Sequence, residues 1–149
     1  MTPIMDKTEA GRLVDAARIR AGLTWSSVAE SLGTPLVWTI AALLGQHPVP
    51  SDTAESARTL LDLDDAVVES LLQQPSRSID PALLQDPTIY RLQEALAVYG
   101  PALKALIHEE FGDGIMSAIN FKVDFARRAD PDGDRVVITL DGKFLDYRW

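Results

Sequence analysis

The spacing of apolar residues changes along this chain, and that change constrains the fold more than any other feature. Over residues 1–75 and 88–111, apolar side chains recur every three or four positions, as on one face of an α-helix. At Phe121, Val123 and Phe125 the period becomes two, as on a half-buried β-strand. The sequence therefore predicts an α+β protein, with an all-helical N-terminal bundle followed by a small α+β domain.

A proline-rich stretch divides the two parts. The segment QQPSRSIDPALLQDP, residues 73–87, sets Pro75, Pro81 and Pro87 among polar residues. Proline lacks a backbone N–H and restricts the residue before it, so the segment is typical of an ordered linker. We expect a helical domain at residues 1–75, a linker at 76–87 and a second domain at 88–149.

Five short helices separated by glycine-containing turns are predicted in the first part. Gly22 and Gly33 end the first two, because glycine adopts the left-handed conformation at low cost. Thr24, Thr34 and Ser51 are typical N-cap residues for three of the helices. The predicted helices span residues 7–21, 24–32, 35–44, 51–61 and 64–72.

The second part begins with two predicted helices. Residues 88–99 and 102–111 are amphipathic, and Gly100 and Pro101 separate them. Proline is favoured at the first position of a helix and disfavoured in its interior, so we expect the helix to be interrupted here.

An antiparallel hairpin is predicted near the end of the chain. Residues 115–121 are too apolar for a solvent-exposed loop, and residues 121–125 and 135–140 have the pattern of strands. Asp132-Gly133 is a turn signal between the strands, and Asp141-Gly142 predicts a second turn. A hairpin of this size has little core of its own.

Composition excludes several classes of protein. Hydrophobic residues make up 46% of the 149 residues and charged residues 24%, which is the mixture of a globular protein and not of a disordered one. The chain has no cysteine, so disulfides, thiolate metal sites and cysteine nucleophiles are excluded. His47 and His108 are too few and too far apart in sequence for a histidine-rich site, and we expect no metal.

Neither a membrane span nor a signal peptide is predicted. No apolar run approaches the roughly 20 residues that cross a bilayer, and the first ten residues lack the apolar core of a signal peptide. We expect a cytoplasmic protein with no membrane partner. The net charge of −8 repels phosphate backbones, so nucleic-acid binding would need a local basic patch. An enzyme acting on an anion would need the same patch in a smaller pocket.

Residues 24–45 resemble a helix-turn-helix of the λ-repressor type. TWSSVAESLGTPLVWTIAALLG has the length, the glycine turn and the caps of that motif. A recognition helix must present Arg, Lys, Asn or Gln to base edges, whereas residues 35–44 carry no charge and only Thr39 is polar. We therefore expect a packing unit that joins subunits and binds no nucleic acid. A DNA-binding regulator with a C-terminal dimerisation domain is the alternative.

Candidate catalytic residues concentrate between residues 86 and 120. Arg91 and Glu94 are three apart and share one helix face. They form either a solvated ion pair, which the spacing alone favours, or an anion-binding guanidinium oriented by a carboxylate. Ser117 lies in the apolar run IMSAINF, where a buried hydroxyl needs a partner or a ligand. Ser117 is in no nucleophile elbow, and the sequence contains no phosphate loop and no dinucleotide fingerprint.

Longer strings in this region resemble one family. DPTIYR, HEEFGDGIMSAINF and ITLDGK are similar to the C-terminal domain of the cyanase family, also called cyanate hydratase or cyanate lyase, and AALLGQHPVP is similar to its helical N-terminal half. The resemblance covers nearly the whole chain. It implies a bicarbonate-dependent decomposition of cyanate to ammonia and carbon dioxide through carbamate, with bicarbonate as co-substrate and no cofactor.

The resemblance also implies site residues and an assembly. Matched by motif, the family's catalytic residues fall on Arg91, Glu94 and Ser117; Arg91 and Ser117 would bind the anions, and Glu94 would orient Arg91 or handle a proton. The family implies a homodecamer built from dimers, with C-terminal strands interlocked between subunits and active sites between chains. This sequence departs from the family pattern at Met116, where a branched aliphatic residue is typical, and at the final FLDYRW. Neither departure removes a catalytic group.

Overall fold

The computed structural model describes residues 1–148; Trp149, which ends the FLDYRW tail, lies outside the described residues. In this range, six α-helices precede a two-stranded antiparallel hairpin, which confirms the predicted α+β class. The elements are α1 (Lys7–Arg20), α2 (Trp25–Leu32), α3 (Leu36–Leu43), α4 (Ser51–Leu61), α5 (Asp65–Leu72), a 3₁₀ helix (Pro81–Gln85), α6 (Pro87–Phe111), β1 (Gly114–Arg128) and β2 (Arg135–Asp146).

The chain divides into two compact units. One comprises Met1–Arg77 with the end of the hairpin, Val123–Ile138. The other comprises Ser78–Lys122 with the chain from Thr139 onward. All three predicted catalytic residues therefore belong to the second unit.

Local sequence signals begin and end the first helices. Asp6 caps α1, because its Oδ1 accepts hydrogen bonds from two backbone N–H groups of the first turn at 2.8 and 3.3 Å. Thr24 caps α2 through the N–H of Ser27 at 3.0 Å, as predicted. Gly33 ends that helix in the left-handed conformation, with φ at 66°.

Two predicted N-caps are wrong. Pro35, not Thr34, is the N-cap of α3, and Pro50, not Ser51, is the N-cap of α4. Both prolines have extended backbones, with ψ at 138° and 146°, so each helix begins one residue after its proline. The Thr34 hydroxyl is instead hydrogen-bonded to the buried Thr39 hydroxyl at 2.6 Å, which ties the turn to α3.

The helical unit has its own hydrophobic core. All five of its α-helices contribute fully or almost fully buried side chains, and Trp25 and Trp38 pack against them. Burial of one large aliphatic side chain contributes about 1.5–3 kcal/mol, so these contacts hold the short helices together. The buried side chains include those of Val14, Val28, Leu43, Ala57 and Leu71.

Residues 88–111 lie in one helix, so the predicted interruption is wrong. α6 continues through Gly100 and Pro101. Pro101 has no N–H to donate to the carbonyl four residues earlier, which normally breaks or kinks a helix. A Cβ on the preceding residue would also clash with the proline ring, but Gly100 has none. Good helix formers on both sides then extend the helix.

The hairpin is longer than predicted. A turn at residues 130–133, in which the N–H of Gly133 donates to the carbonyl of Asp130 at 3.0 Å, confirms the turn predicted at Asp132-Gly133. β2 continues through Asp141 and Gly142, so the second predicted turn is wrong. Pairing with β1 overrides the local turn tendency, and a glycine inside a strand marks the close approach of another backbone.

The second unit has no core of its own among the described residues. No residue of α6 is buried, and the buried apolar side chains all come from residues 10–71. The rings of Phe111 and Phe144 stack at 5.2 Å and join the end of α6 to β2. Other large apolar side chains of this unit are exposed, among them Leu96, Val98, Tyr99, Leu106 and Ile119.

Candidate active site

The first turns of α6 place Arg91 and Glu94. Asp86 caps this helix, because its Oδ1 accepts from two backbone N–H groups of the first turn at 2.8 and 3.1 Å. Pro87 occupies the first helical position, where a missing N–H leaves no intrahelical bond unmade. A well-defined helix start determines the direction in which the next two turns project their side chains.

Arg91 and Glu94 form the ion pair that their spacing predicts, with Nη1 donating to Oε2. Their side chains are 72% and 48% exposed, and an exposed pair of this kind contributes only about 0–1 kcal/mol to stability. Within the described chain, Nε and Nη2 of Arg91 donate to no residue. The remaining donors of the guanidinium are therefore available to an anion.

Ser117 is buried in β1, with 4% of its surface exposed. Its Oγ accepts hydrogen bonds from the N–H groups of Ile119 at 3.1 Å and Asn120 at 2.9 Å. A regular strand rises about 3.3 Å per residue, which would place a residue three positions further along about 10 Å away. The bond to Asn120 therefore requires β1 to bend back locally, as at a β-bulge.

These two bonds determine what Ser117 can do chemically. A serine hydroxyl has two acceptor lone pairs and one donor proton. The two amides occupy both lone pairs, and the proton has no acceptor among residues 1–148. Ser117 can therefore donate to an anion, but it has no free lone pair with which to act as a base or nucleophile.

A single chain does not bring the three predicted residues together. Among residues 1–148, no hydrogen bond or ion pair joins Ser117 to Arg91 or Glu94. One chain thus presents two separate groups, an exposed guanidinium on α6 and a buried hydroxyl donor in β1.

A cavity of about 400 Å³ lies between the second half of α6 and the start of β1. Its lining combines apolar side chains with Lys104, His108 and Asp113, and includes Tyr147. None of the three predicted catalytic residues lines this cavity. Within one chain, the cavity and the candidate site are separate.

The neighbour of Ser117 across the hairpin was not predicted from the sequence. Because Asp141-Gly142 predicted a turn, Gly142 was expected outside the strand, whereas its backbone lies against the carbonyl of Ser117. A glycine interrupting an otherwise β-branched and apolar strand was the available signal, since such a glycine marks a bulge or a close backbone approach.

Residues 1–148 contain no group of three or more His, Cys, Asp or Glu side chains arranged to hold a metal ion. In the same residues, no helix combines the length and apolar character needed to cross a membrane.

Similarity to known proteins extends over both parts of the chain. A family model described as "Cyanate hydratase, N-terminal" matches residues 8–75, and one described as "Cyanate lyase C-terminal domain" matches residues 81–149. The crystal structure of cyanase from T. urticae is similar with a TM-score of 0.82 at 36% identity, covering 91% of this chain and 96% of that chain.

Two curated relatives extend the match. Cyanate hydratase of Mycolicibacterium vanbaalenii is 57% identical over 146 residues, which is 97% of this chain and 95% of the relative. Cyanate hydratase of Pseudomonas putida is 46% identical over 144 residues, 97% of this chain and 99% of the relative. The resemblance to the family is thereby confirmed along nearly the full length of this chain and of both relatives. The chain belongs to the cyanate hydratase (cyanase) family.

Proposed function

We propose that this chain catalyses the bicarbonate-dependent decomposition of cyanate to ammonia and carbon dioxide. The observation that carries the proposal is its 57% identity to a cyanate hydratase along 97% of its length. Arg91, Glu94 and Ser117 supply groups suited to this chemistry, namely a guanidinium with free donors, a carboxylate paired with it, and a hydroxyl that can only donate.

The reaction joins two monoanions. A bicarbonate oxygen attacks the cyanate carbon, and the bicarbonate proton passes to nitrogen, which gives a dianionic adduct. A second proton on nitrogen accompanies cleavage of the bond between the former bicarbonate carbon and the bridging oxygen. That cleavage releases carbon dioxide and leaves carbamate, which takes up a proton and breaks down to ammonia and a second carbon dioxide.

Arg91 is the proposed main stabiliser of the adduct. Its guanidinium stays protonated and offers several N–H donors in a fixed fork, which suits the oxygens of two bound anions. Such a charge is far more effective where water is excluded, because the local dielectric constant is lower. In one chain Arg91 is exposed, so we propose that a neighbouring subunit covers it.

Ser117 and Glu94 have supporting roles in the proposal. The Ser117 proton would be donated to an oxygen of the anion, since its lone pairs are occupied by the amides of Ile119 and Asn120. Glu94 would orient Arg91 through their ion pair or handle one of the protons taken up on nitrogen. Holding both anions for attack supplies much of the acceleration without a covalent intermediate on the protein and without a cofactor.

We propose a homo-oligomer in which subunits share sites. The second unit exposes apolar side chains on α6 and the hairpin, which a soluble protein covers by association. Among the described residues of a single chain, no hydrogen bond joins Ser117 to Arg91 or Glu94, so sites assembled between subunits would complete the set. A homodecamer built from dimers, with interlocked strands, is the assembly that the family resemblance implies. The cytoplasmic location stays a prediction.

The alternative, a DNA-binding regulator, is not favoured. α3 carries no charged side chain, and its Thr39, Ala42 and Leu43 are buried in the helical unit. A recognition helix needs exposed donors and acceptors for base edges. We therefore propose no nucleic-acid partner.

Ammonia release from cyanate, measured with and without bicarbonate, tests the proposal. The wild-type assembly should release ammonia only when bicarbonate is present, and Arg91→Ala should lose most turnover while keeping the assembled mass. Absence of bicarbonate-dependent release by the wild type would overturn the assignment. Near-normal turnover by an assembled Arg91→Ala variant would remove Arg91 from the mechanism.

A further inference from the structure

The backbone of β2 passes unusually close to Ser117 at Gly142. A Cβ added to Gly142 would lie 2.5 Å from the Ser117 carbonyl oxygen and closer still to Cγ of Met116. Cβ atoms essentially never approach a heavy atom of a non-neighbouring residue within 3.0 Å, so any side chain here would force a displacement. β1 and β2 thus reach this spacing only because residue 142 has no side chain.

Space, and not backbone conformation, accounts for this glycine. Gly112 and Gly133 have φ values of 93° and 125°, in the region that L-residues rarely adopt. Gly142 has no positive φ and lies within the regular run of β2. Alanine could therefore adopt its backbone angles, and the obstacle to alanine is the Ser117 carbonyl with the neighbouring Met116 side chain.

The two obstacles differ in how easily they yield. Met116 is unbranched and flexible, so its Cγ and Sδ can rotate away. The Ser117 carbonyl is part of the backbone of β1, and displacing it turns the peptide group that carries the Ser117 side chain. The Oγ of Ser117 must stay within 3.1 Å of two amides, at Ile119 and Asn120, to keep both lone pairs occupied.

We propose that Gly142 is a positioning residue for the anion site. By allowing β2 to lie against the Ser117 carbonyl, it holds the bulge of β1 in the one arrangement that leaves only the Ser117 proton free to bind an anion. This inference rests on the proposed function, in which Ser117 donates to cyanate, bicarbonate or their adduct. Gly142 acts through Ser117 and touches no substrate itself.

A double-mutant cycle on the full-length assembly separates this role from a structural one. Gly142→Ala should lower kcat/KM for cyanate by about a hundredfold, the scale of a misplacement near 1 Å. In a Ser117→Ala background the same substitution should lower kcat/KM by less than about threefold, because residues that act as a unit are not additive. An equal loss in both backgrounds, or full activity of Gly142→Ala, would overturn the proposal.

Amide hydrogen exchange at Ile119 and Asn120 tests the contact without any substrate. Both amides should exchange faster in Gly142→Ala than in the wild type, since Oγ would no longer cover them. Gly114→Ala is the matched control: its Cβ would meet the Phe144 ring at 2.5 Å and the Leu145 carbonyl, so it strains the same hairpin away from Ser117. This control should leave exchange of the two amides unchanged.

A second variant keeps the test decisive if Gly142→Ala does not assemble. Met116→Ala removes Cγ and Sδ and hence the flexible obstacle, so Met116→Ala/Gly142→Ala leaves the Ser117 carbonyl as the main clash. Relative to Met116→Ala alone, the double variant should still show faster exchange at Asn120 and a lower kcat/KM. Unchanged exchange would overturn the proposed positioning. Wild-type protein without cyanate turnover would overturn only the proposed function, because the exchange measurement remains interpretable.

Discussion

Arg91 engages Glu94 through one nitrogen and, among the described residues, leaves its other donors free. Three other arginines, Arg58, Arg127 and Arg148, also pair with carboxylates on the surface, so an ion pair as such does not distinguish Arg91. Ser117 differs from other serines of the chain because two amides occupy its lone pairs. For single residues, the candidate chemistry depends on which hydrogen-bond donors of Arg91 and Ser117 remain free to bind an anion.

Substitution of Arg91 by lysine tests whether the guanidinium fork matters or only its charge. We expect a loss of about 1.5–3 kcal/mol of transition-state stabilisation, roughly 10- to 150-fold in kcat/KM, because an ammonium cannot reproduce two parallel charge-assisted bonds. Steady-state ammonia release measures it. Arg127→Lys is the matched control, since Arg127 pairs with Asp134 at the hairpin end, and it should keep wild-type kinetics. Full activity of Arg91→Lys would show that a point charge suffices.

Side-chain contacts between different segments join the elements of the helical unit, and the sequence of one element alone does not reveal them. Nζ of Lys7, at the start of α1, donates to the carbonyls of Ser70, Leu71 and Gln73 at 3.1, 3.1 and 2.6 Å, which satisfies groups at the end of α5. The loop after α3 is held by His47, whose ring stacks on Trp38 with centroids 6.1 Å apart. Both contacts place an ionisable group in a partly buried position.

The stability of this unit should depend on pH because the pKa of His47 is lowered in the folded chain. Partial burial lowers the pKa of His47 from its ordinary value of 6.5, and the charge of Arg77 lowers it further. Between the lowered pKa and 6.5 the unfolded chain binds more protons than the folded chain. Stability should therefore fall as the pH drops below 6.5, until His47 is protonated in the folded state as well.

His47→Phe keeps a ring for Trp38 and removes the titration. Thermal unfolding between pH about 7 and about 5, the range in which histidine charges, should show a smaller fall in Tm for this variant than for the wild type. Arg77→Gln removes only the second cause of the shift, so its pH dependence should lie between the two. Identical pH dependence of all three proteins would contradict the assignment to His47.

Among residues 1–148, the molecule divides into one unit with a core of buried apolar side chains and one without such a core. Residues 10–71 supply the buried apolar side chains, whereas α6 has no buried residue and the hairpin exposes apolar side chains on its strands. The chain has a net charge of −8, whereas the proposed anion site depends on the positive charge of Arg91. Oligomerisation would repeat Arg91 in every chain and could bring several of these positive charges close together. The remaining acidity favours solubility and slightly opposes the approach of anions.

Ile119→Asp tests whether the proposed assembly covers the hairpin. Ile119 is 96% exposed in the single chain, and fully burying such a side chain contributes about 1.5–3 kcal/mol. A carboxylate there should shift sedimentation towards smaller species and lower cyanate turnover. Ile19→Asp, on α1 at 60% exposure, is the control and should keep the wild-type mass. An unchanged mass for Ile119→Asp would place Ile119 outside every subunit contact.

Much of the local structure followed from the sequence. Thr24 caps the start of α2 and Gly33 caps its end, as predicted, and Arg91 pairs with Glu94. Helix caps and three-residue spacings act between residues close together in the chain, so the sequence is enough to predict them. Thr34 was misassigned as a cap because proline fixes φ but leaves ψ free. Pro35 has an extended ψ, which moved the start of α3 by one residue. The roles of Arg91, Glu94 and Ser117 came from family resemblance and stay predictions.

The sequence by itself determined the α+β class, most helix positions and the ion pair of α6, since these depend on short-range periodicity and capping. Only the tertiary structure decided that β2 continues through Gly142, that this glycine lies against Ser117, and that two amides occupy the Ser117 lone pairs. The physical reason is that strand pairing joins residues about 25 positions apart, and its register depends on the whole hairpin and not on any local signal.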